Sequence, residues 1–269
     1  MKTFHILFQK TLFFLILVSI ILTGCDSLTL QGPQPDYIEE AEYEPLLNVL
    51  GVLRPDSLDV MPKSFIHLES TYPADNVDRH EVIYDADVVV TIPDQDNVLN
   101  TYTMMYTSMD LFEKEEYRHP DLSVKGGEFC TLTCEKEGYP LLRAYTTVPS
   151  VPEIPDESIV IEDGFLSFQI LRDEKTGLYE VMLQGKNWTV SDRKLRSVHG
   201  PVNVELSFPA GGEDQIQLTV YAFDLNLSEY LTVNLSIKPN IYQSDFTTVE
   251  NGFGCFGSLN ILKKNIPLE

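Results

Sequence analysis

The sequence has little positive charge. Lysine and arginine together number 19 against 41 aspartate and glutamate residues, so the formal net charge is −22 at pH 7. A protein that binds nucleic acid needs basic side chains to displace the counterions of the phosphates. The charge balance therefore excludes nucleic acid as a partner. It indicates a well-solvated acidic surface, with an acidic patch for cations or for a basic partner as the alternative.

Motifs of catalysis and cofactor binding are also lacking. The five histidines are scattered without an H-E-x-x-H pattern, and no G-x-S-x-G elbow occurs. Gly252, Gly254 and Gly257 spell G-x-G-x-x-G, but the chain ends too soon after them for the helix, strand and ribose-binding acid of a dinucleotide site. We therefore predict no enzyme activity and no cofactor. We interpret the three glycines as structural turn residues that relieve crowding where the last strand bends.

Cysteine is scarce, with four in the chain: Cys25, Cys130, Cys134 and Cys255. On one extended strand Cys130 and Cys134 would lie about 13 Å apart, whereas a disulfide needs Cα atoms within about 7 Å. These two cannot pair unless the strand breaks. A bond from either of them to Cys255 and a set of buried free thiols both stay open. A C-x₃-C spacing on a strand lacks a converging second ligand pair, which disfavours zinc.

The N-terminus carries an export signal. Lys2 and Lys10 precede an apolar run over residues 12–22, which is shorter than the ~20 residues that span a bilayer. The run ends in Leu22-Thr23-Gly24-Cys25, which matches the bacterial lipobox. We predict that residues 1–24 are a lipoprotein signal peptide and that Cys25 is lipidated. An uncleaved anchor, or an ordinary signal peptide with an incidental cysteine, is the alternative.

Lipidation of Cys25 would make a membrane the first partner of the mature chain. One acyl chain gives an association constant of only about 10⁴ M⁻¹, whereas two or more anchor a protein stably. Residues 25–45 contain Gly32, Pro33 and Pro35 and show no sustained periodicity, so they are predicted to form a flexible tether. Asp26 does not settle which membrane or leaflet is used.

Apolar residues of the body alternate with polar ones in short runs, which is typical of strands. Ala86, Val88, Val90 and Ile92, for example, fall on one face. Other predicted strands are residues 46–53, 65–70, 98–106, 127–136, 141–148, 158–161, 165–171, 178–184, 202–208 and 215–223. The pattern predicts an all-β fold with an N-terminal immunoglobulin-like β-sandwich, a second β-rich domain and at most one or two short helices.

Prolines 149, 152 and 155 mark the best internal boundary, because three prolines so close together favour an extended connector. We therefore predict a sandwich over residues 46–150 and a C-terminal β domain over 151–269. The Gly211-Gly212 pair predicts a hairpin between the strands that flank it. A short helix is predicted over residues 226–231, with Asn226 or Ser228 as its cap.

Three polar or aromatic features are candidates for binding. Asp94-Gln95-Asp96-Asn97 could supply oxygen ligands to calcium, although Asx-turn chemistry explains it more simply. Trp188 could stack on a sugar or pack at the rim of a core. The predicted contact surface lies in a long connection and comprises Glu113, Glu115, Glu116, Tyr117 and Arg118.

Several segments resemble the bacterial lipoproteins grouped as domain of unknown function (DUF) 4249. Besides the lipobox, the similarity lies in residues 46–53, 85–92, 127–132, 146–149, 227–231 and above all in Asn251-Gly252-Phe253-Gly254-Cys255-Phe256-Gly257. The sequence departs from that family at Cys130, where an aromatic residue is usual, and it is shorter than many members. The resemblance implies an immunoglobulin-like first domain and a place in the cell envelope.

This resemblance also implies a function. Members are often encoded beside outer-membrane TonB-dependent transporters, and none has an established enzyme activity. We therefore expect a lipoprotein of the cell outer membrane that acts as a non-enzymatic binding or scaffold module, accessory to such a transporter. The alternative is a surface adhesin or glycan-binding lipoprotein.

Overall fold

The first half of the chain folds into seven strands. A computed structural model of the chain describes residues 44–55, 64–72, 81–94, 98–109, 114–209, 214–235 and 248–268. The strands of this half are β1 (Leu47–Leu53), β2 (Phe65–Ser70), β3 (Asp87–Pro93), β4 (Leu99–Met109), β5 (Lys114–Arg118), β6 (Phe129–Glu135) and β7 (Leu142–Thr147). All neighbouring pairs among them are antiparallel.

These strands form a two-layer sandwich. Strands β1, β2 and β5 lie side by side in one layer, and β4, β3, β6 and β7 form the other. Strand β4 passes between the layers, because its first part pairs with β3 and its last part with β5. Strands one, two and five in one layer against three, six and seven in the other is the arrangement of an immunoglobulin-like sandwich. The predicted immunoglobulin-like β-sandwich fold is confirmed.

Apolar and polar residues alternate along each strand, and the apolar side chains form the first core. Val88, Val90 and Ile92 of β3 point inward and are buried, as are Leu132 of β6 and Leu68 of β2. Apolar side chains from both layers thus meet in one cluster. Burial of such side chains contributes about 25 cal/mol per Å² of apolar surface, which is the main force that holds the layers together.

The second half repeats this arrangement. A 3₁₀ turn (Asp156–Ser158) precedes β8 (Val160–Glu162), β9 (Phe165–Ile170), β10 (Thr176–Gln184), β11 (Thr189–Leu195), β12 (Val202–Ser207), β13 (Gln215–Asp224), helix α1 (Leu225–Leu235), β14 (Val249–Glu250) and β15 (Gly252–Pro267). One layer is β8-β9-β12 and the other is β11-β10-β13-β15. Taken in chain order, the seven strands of these two layers divide between the layers in the same way as β1 to β7 do. The two halves nevertheless show no sequence repeat.

Strand β15 joins the two sandwiches. Its first part, Gly252 to Ser258, runs parallel to β1 of the first sandwich. Its second part, Leu259 to Pro267, runs antiparallel to β13 of the second. Glu44–Glu269 accordingly forms one compact unit. The predicted boundary near residue 150 falls between two separate cores, but β15 contributes Phe256 to the first of them.

A third apolar cluster fills the junction of the sandwiches. Val52 of β1 meets Leu178, Phe223 and Leu259 of the second sandwich, and Leu227 of α1 packs against them. All five side chains are at most 9% exposed. The outer surface of the β1-β2-β5 layer is therefore covered in part by the second sandwich and its helix.

Two local predictions in the second half were wrong. Strands β12 and β13 do not form a hairpin, since β12 pairs with β9 while β13 pairs with β10 and β15 in the opposite layer. The helix exists, but its cap is Asp224, whose Oδ1 accepts a hydrogen bond from the Leu227 backbone N–H at 2.8 Å. A carboxylate in this place satisfies an otherwise unpaired N–H at the helix start.

Candidate functional site

Most of the predicted contact surface lies in strand β5, not in a long connection. Tyr117 is 2% exposed, and its hydroxyl oxygen accepts a hydrogen bond from the Ala86 backbone N–H at 3.0 Å. Glu116 is also buried. These two residues cannot form a contact surface, so the prediction is corrected for them. Glu115 is exposed, and Glu113 lies outside the described residues.

Charged side chains around β5 are paired with one another. Arg118 is half-buried and its guanidinium donates to the carboxylate of Glu116 through both Nε and Nη2. His67 on the neighbouring strand contacts the Glu115 carbonyl through Nδ1 at 2.8 Å and Glu69 Oε1 through Nε2 at 2.9 Å. Burial lowers the pKa of His67, but these acceptors outweigh burial and raise it overall. These contacts use the side chains of Arg118, Glu116 and Glu69 within the sheet.

The three glycines near the C-terminus lie within β15 and not in a turn. Gly254 has φ +103°, and a Cβ there would lie 2.0 Å from the Val49 carbonyl oxygen. A Cβ at Gly257 would lie 2.7 Å from Leu227 Cβ, and one at Gly252 would meet the Leu47 carbonyl oxygen at 2.7 Å. Glycine is thus needed for close approach of β15 to β1 and α1. This agrees with a structural role in relieving crowding.

A buried polar network crosses the junction between the sandwiches. The hydroxyl of Thr146 on β7 donates to Asp224 at the end of β13, and it also lies 3.1 Å from the Ser258 hydroxyl on β15. Asp224 is 2% exposed. Burial raises the pKa of its carboxyl to about 6, although hydrogen bonds from Thr146, Leu227 and Ser258 oppose that shift. The network ties three elements together and has no opening to solvent.

All three described cysteines are free thiols in the cores. Cys130, Cys134 and Cys255 are each fully buried. Burial raises the pKa of each thiol to about 12. A thiol of this kind is a poor nucleophile at neutral pH, because the thiolate is the reactive form. The open question of a bond to Cys255 is settled in favour of free thiols.

Two other candidates are structural. Asp94 Oδ1 accepts a hydrogen bond from the Val98 backbone N–H at 2.8 Å, which is Asx-turn geometry, and residues 95–97 lie outside the described part. Trp188 stacks on Phe208 with ring centroids 5.8 Å apart and packs against the second core. Within the described ranges, no three His, Cys, Asp or Glu side chains come close enough together to hold a metal ion.

The outer face of one layer of the first sandwich has a central region with one charged residue, Arg143, and this region is bordered by the exposed pair Asp87 and Glu135. Cross-strand pairing places Thr101, Thr91, Thr131 and Tyr145 in one row, and Thr103, Val89, Thr133 and Arg143 in the next. Phe129 follows on β6 on the same side. We call this surface the neutral face and define it by Thr91, Thr101, Thr103, Thr131, Thr133, Phe129 and Tyr145. Every one of these residues is exposed or half-buried.

The aromatic residues give the neutral face its distinctive feature. Phe129 is 48% exposed and Tyr145 is 39% exposed. Their rings are nearly parallel, at 14°, with centroids 5.9 Å apart. Two adjoining exposed rings form an apolar strip, and such strips are typical of binding surfaces. The sequence analysis missed this pair, because only the sheet register brings Phe129 beside Tyr145.

Comparison with known proteins gives distant likenesses among solved structures. No protein family matches the chain, and no curated protein matches it. Among solved structures, the alpha chain of the chicken interferon gamma receptor is similar to 68% of this chain and 90% of its own length, at 7% identity and a TM-score of 0.22. A likeness of this size carries no conclusion about function, and the fold above rests on strand pairing. Membership of the DUF 4249 family stays a prediction.

Proposed function

We propose that this chain is a lipoprotein of the bacterial cell envelope, anchored by lipid on Cys25, that acts as a non-enzymatic binding or scaffold module. One observation carries this proposal: basic residues, an apolar run and Leu22-Thr23-Gly24-Cys25 follow one another in the order of a lipoprotein signal. The two joined sandwiches support it, because a single compact body on a tether suits a module that presents a surface. Cys25 lies outside the described residues. No helix in the described part is long and apolar enough to cross a membrane.

The anchor can be tested by labelling cells with radioactive palmitate. We expect label in the wild-type chain and none in Cys25→Ser, which would also stay as the longer unprocessed precursor in the membrane fraction. Ser27→Ala, two residues further on, is the matched control and should incorporate label normally. Unlabelled wild-type protein, or a labelled Cys25→Ser variant, would disprove the anchor.

The partner proposed for the scaffold role is an outer-membrane TonB-dependent transporter, which the resemblance to DUF 4249 lipoproteins implies. Cross-linking in intact cells, followed by solubilisation in detergent and mass spectrometry, should recover such a transporter with the wild-type chain. Recovery of the chain with no transporter at any cross-linker length would count against this partner.

A second function, a surface adhesin or glycan-binding lipoprotein, is favoured by the exposed pair Phe129 and Tyr145. Display on the cell surface predicts that protease added to intact cells degrades the chain, whereas an internal periplasmic protein survives. Full protection of the chain under these conditions would exclude a surface adhesin. It would leave open glycan binding inside the envelope.

A further inference from the structure

The neutral face combines hydroxyl groups with an apolar strip. Its threonine hydroxyls can each donate and accept hydrogen bonds. Within the described part of the chain, none of the five threonines of this face bonds to another side chain through its hydroxyl. Neighbouring strands lie about 4.8 Å apart and alternate residues about 6.8 Å apart, so the hydroxyls form a regular grid.

The charge of the chain and of this face limits the class of ligand that can bind. The chain has a net charge of −22, whereas the two central rows of the neutral face carry one charged side chain, Arg143, at the β7 end. The next row on this face carries the exposed carboxylates of Asp87 and Glu135, so a polyanion would be repelled by these groups and by the net charge of the chain. An uncharged ligand is not repelled.

The area of the neutral face suits a small ligand better than a second protein. The face spans three strand spacings, about 14 Å, and four residues along β6, also about 14 Å. The resulting area of roughly 200 Å² is far below the ~800 Å² that each partner buries in a standard protein interface. A second copy of the chain would therefore need contacts beyond this face, and two chains of net charge −22 repel each other. A few linked rings of a small ligand would cover it.

We propose that the neutral face binds a neutral polysaccharide, with Phe129 and Tyr145 packing against the apolar faces of successive sugar rings and the threonine hydroxyls bonding to sugar hydroxyls. The negative ring faces of the aromatic residues attract the polarised C–H bonds of a sugar ring. Both chemical features of a sugar, its apolar faces and its hydroxyl rim, thus meet their counterparts. This inference rests on the proposed role of the chain as a binding module and names its ligand class.

Full-length protein in detergent can be tested on defined polysaccharides. Insoluble cellulose and chitin serve in pull-down assays, soluble xylan and a neutral glucan in affinity electrophoresis, and polygalacturonate as an acidic counterpart. We expect at least one neutral polysaccharide to retain the wild-type chain and polygalacturonate not to retain it. Phe129→Ala and Tyr145→Ala should each weaken retention about tenfold or more, whereas Phe129→Tyr and Tyr145→Phe should bind nearly as the wild type does.

Phe165→Ala is the matched control. Phe165 is 48% exposed, as Phe129 is, but it lies on β9 of the second sandwich. Its removal should leave retention unchanged, and thermal unfolding followed by circular dichroism would verify that all variants are folded.

Several outcomes would overturn the proposal: no retention by any neutral polysaccharide, equal retention of the alanine variants at Phe129 and Tyr145, or a loss of the same size in Phe165→Ala. A change of oligomeric state in Tyr145→Ala without polysaccharide binding would instead identify the face as a contact between copies, and would also overturn the proposal.

Palmitate labelling of the same variants distinguishes a failure of this proposal from a failure of the proposed lipid anchor. Labelled protein that binds no polysaccharide refutes only the ligand, whereas polysaccharide binding without label refutes only the anchor.

Discussion

Replacing Asp224 by asparagine should change how stability depends on pH. The carboxyl has its ordinary pKa of 3.8 when the chain is unfolded and a pKa of about 6 in the folded protein, where burial disfavours its charge. Because the folded pKa is the higher one, the contribution to stability is fully present below pH 3.8. It is lost as the pH rises through about 6.

The magnitude follows from these two values. The raised pKa contributes on the order of 1 kcal/mol to the free energy of unfolding at pH 5 and almost nothing at pH 7. The wild-type chain therefore loses about 1 kcal/mol from this group between pH 5 and pH 7. Asparagine does not titrate, remains a good helix cap, and can still accept the hydrogen bond from Leu227. Asp224→Asn should gain about 1 kcal/mol relative to the wild type between pH 5 and pH 7.

Urea denaturation followed by the fluorescence of Trp188, the single tryptophan, measures this difference. His67, whose pKa is lowered by burial but raised overall by its hydrogen bonds to Glu69 and Glu115, is common to both proteins, so its titration drops out when their curves are subtracted. The variant Asp121→Asn, at an exposed position, provides a control for the effect of the substitution itself. A constant difference between Asp224→Asn and the wild type from pH 5 to pH 7, or a change of the opposite sign, would refute the reasoning.

Other consequences of the fold can be measured in the same way. Gly254→Ala should lower the free energy of unfolding by more than about 3 kcal/mol, since its Cβ would collide with the Val49 carbonyl oxygen at a positive φ; a loss below 1 kcal/mol would contradict the tight pairing of β15 with β1. Glu116→Ala should cost roughly 2 kcal/mol, because it leaves the half-buried Arg118 unpaired. The three buried thiols should resist alkylation in the native protein, because β15 joins the two sandwiches into one cooperative unit. They should react only as the protein unfolds, which the fluorescence of Trp188 reports. Thiol reaction before that unfolding would show that the two sandwiches do not unfold together.

Much of the fold followed from alternation in the sequence. Where one face of a strand is apolar and the other polar, as in β3 with Val88, Val90 and Ile92, the period of two is plain and the strand was predicted. Strand β2 was predicted with the bounds that the structure gives it. Such strands carry their burial pattern in their own residues, so no knowledge of their neighbours was needed.

Strands without that pattern were missed. Strand β5 reads Lys-Glu-Glu-Tyr-Arg, and its charged residues concealed a strand because Glu116 is buried through pairing with Arg118 rather than through apolarity. Strand β11 lies at the edge of its sheet, where no residue is fully buried, so its alternation of half-buried and exposed side chains is weak. The pairing of β12 was also mistaken, since the Gly211-Gly212 pair indicates a reversal of the chain but not the layer to which the next strand belongs.

The neutral face required the register of four strands. The sequence shows Thr101-Tyr102-Thr103 and Thr131-Leu132-Thr133 as separate patterns, each of which is ordinary for a solvent-facing strand. Only the pairing of both segments with β3 sets these threonines side by side, and only the pairing of β6 with β7 brings Tyr145 beside them. Long-range register of this kind is a tertiary property that a single sequence does not specify locally.

The shared strand order of the two sandwiches determines which surfaces can meet a ligand. At their junction, β1 pairs with the first part of β15, and Val52 on the outer surface of the β1-β2-β5 layer shares an apolar cluster with Leu178, Phe223 and Leu259 of the second sandwich. The opposite layer of each sandwich, β4-β3-β6-β7 in the first and β8-β9-β12 in the second, keeps an exposed outer surface. Of these two surfaces, only the first carries an adjoining pair of exposed aromatic rings, because Phe165 on β9 has no aromatic partner among the described residues. The polysaccharide binding proposed above should therefore depend on the β4-β3-β6-β7 layer and not on the β8-β9-β12 layer.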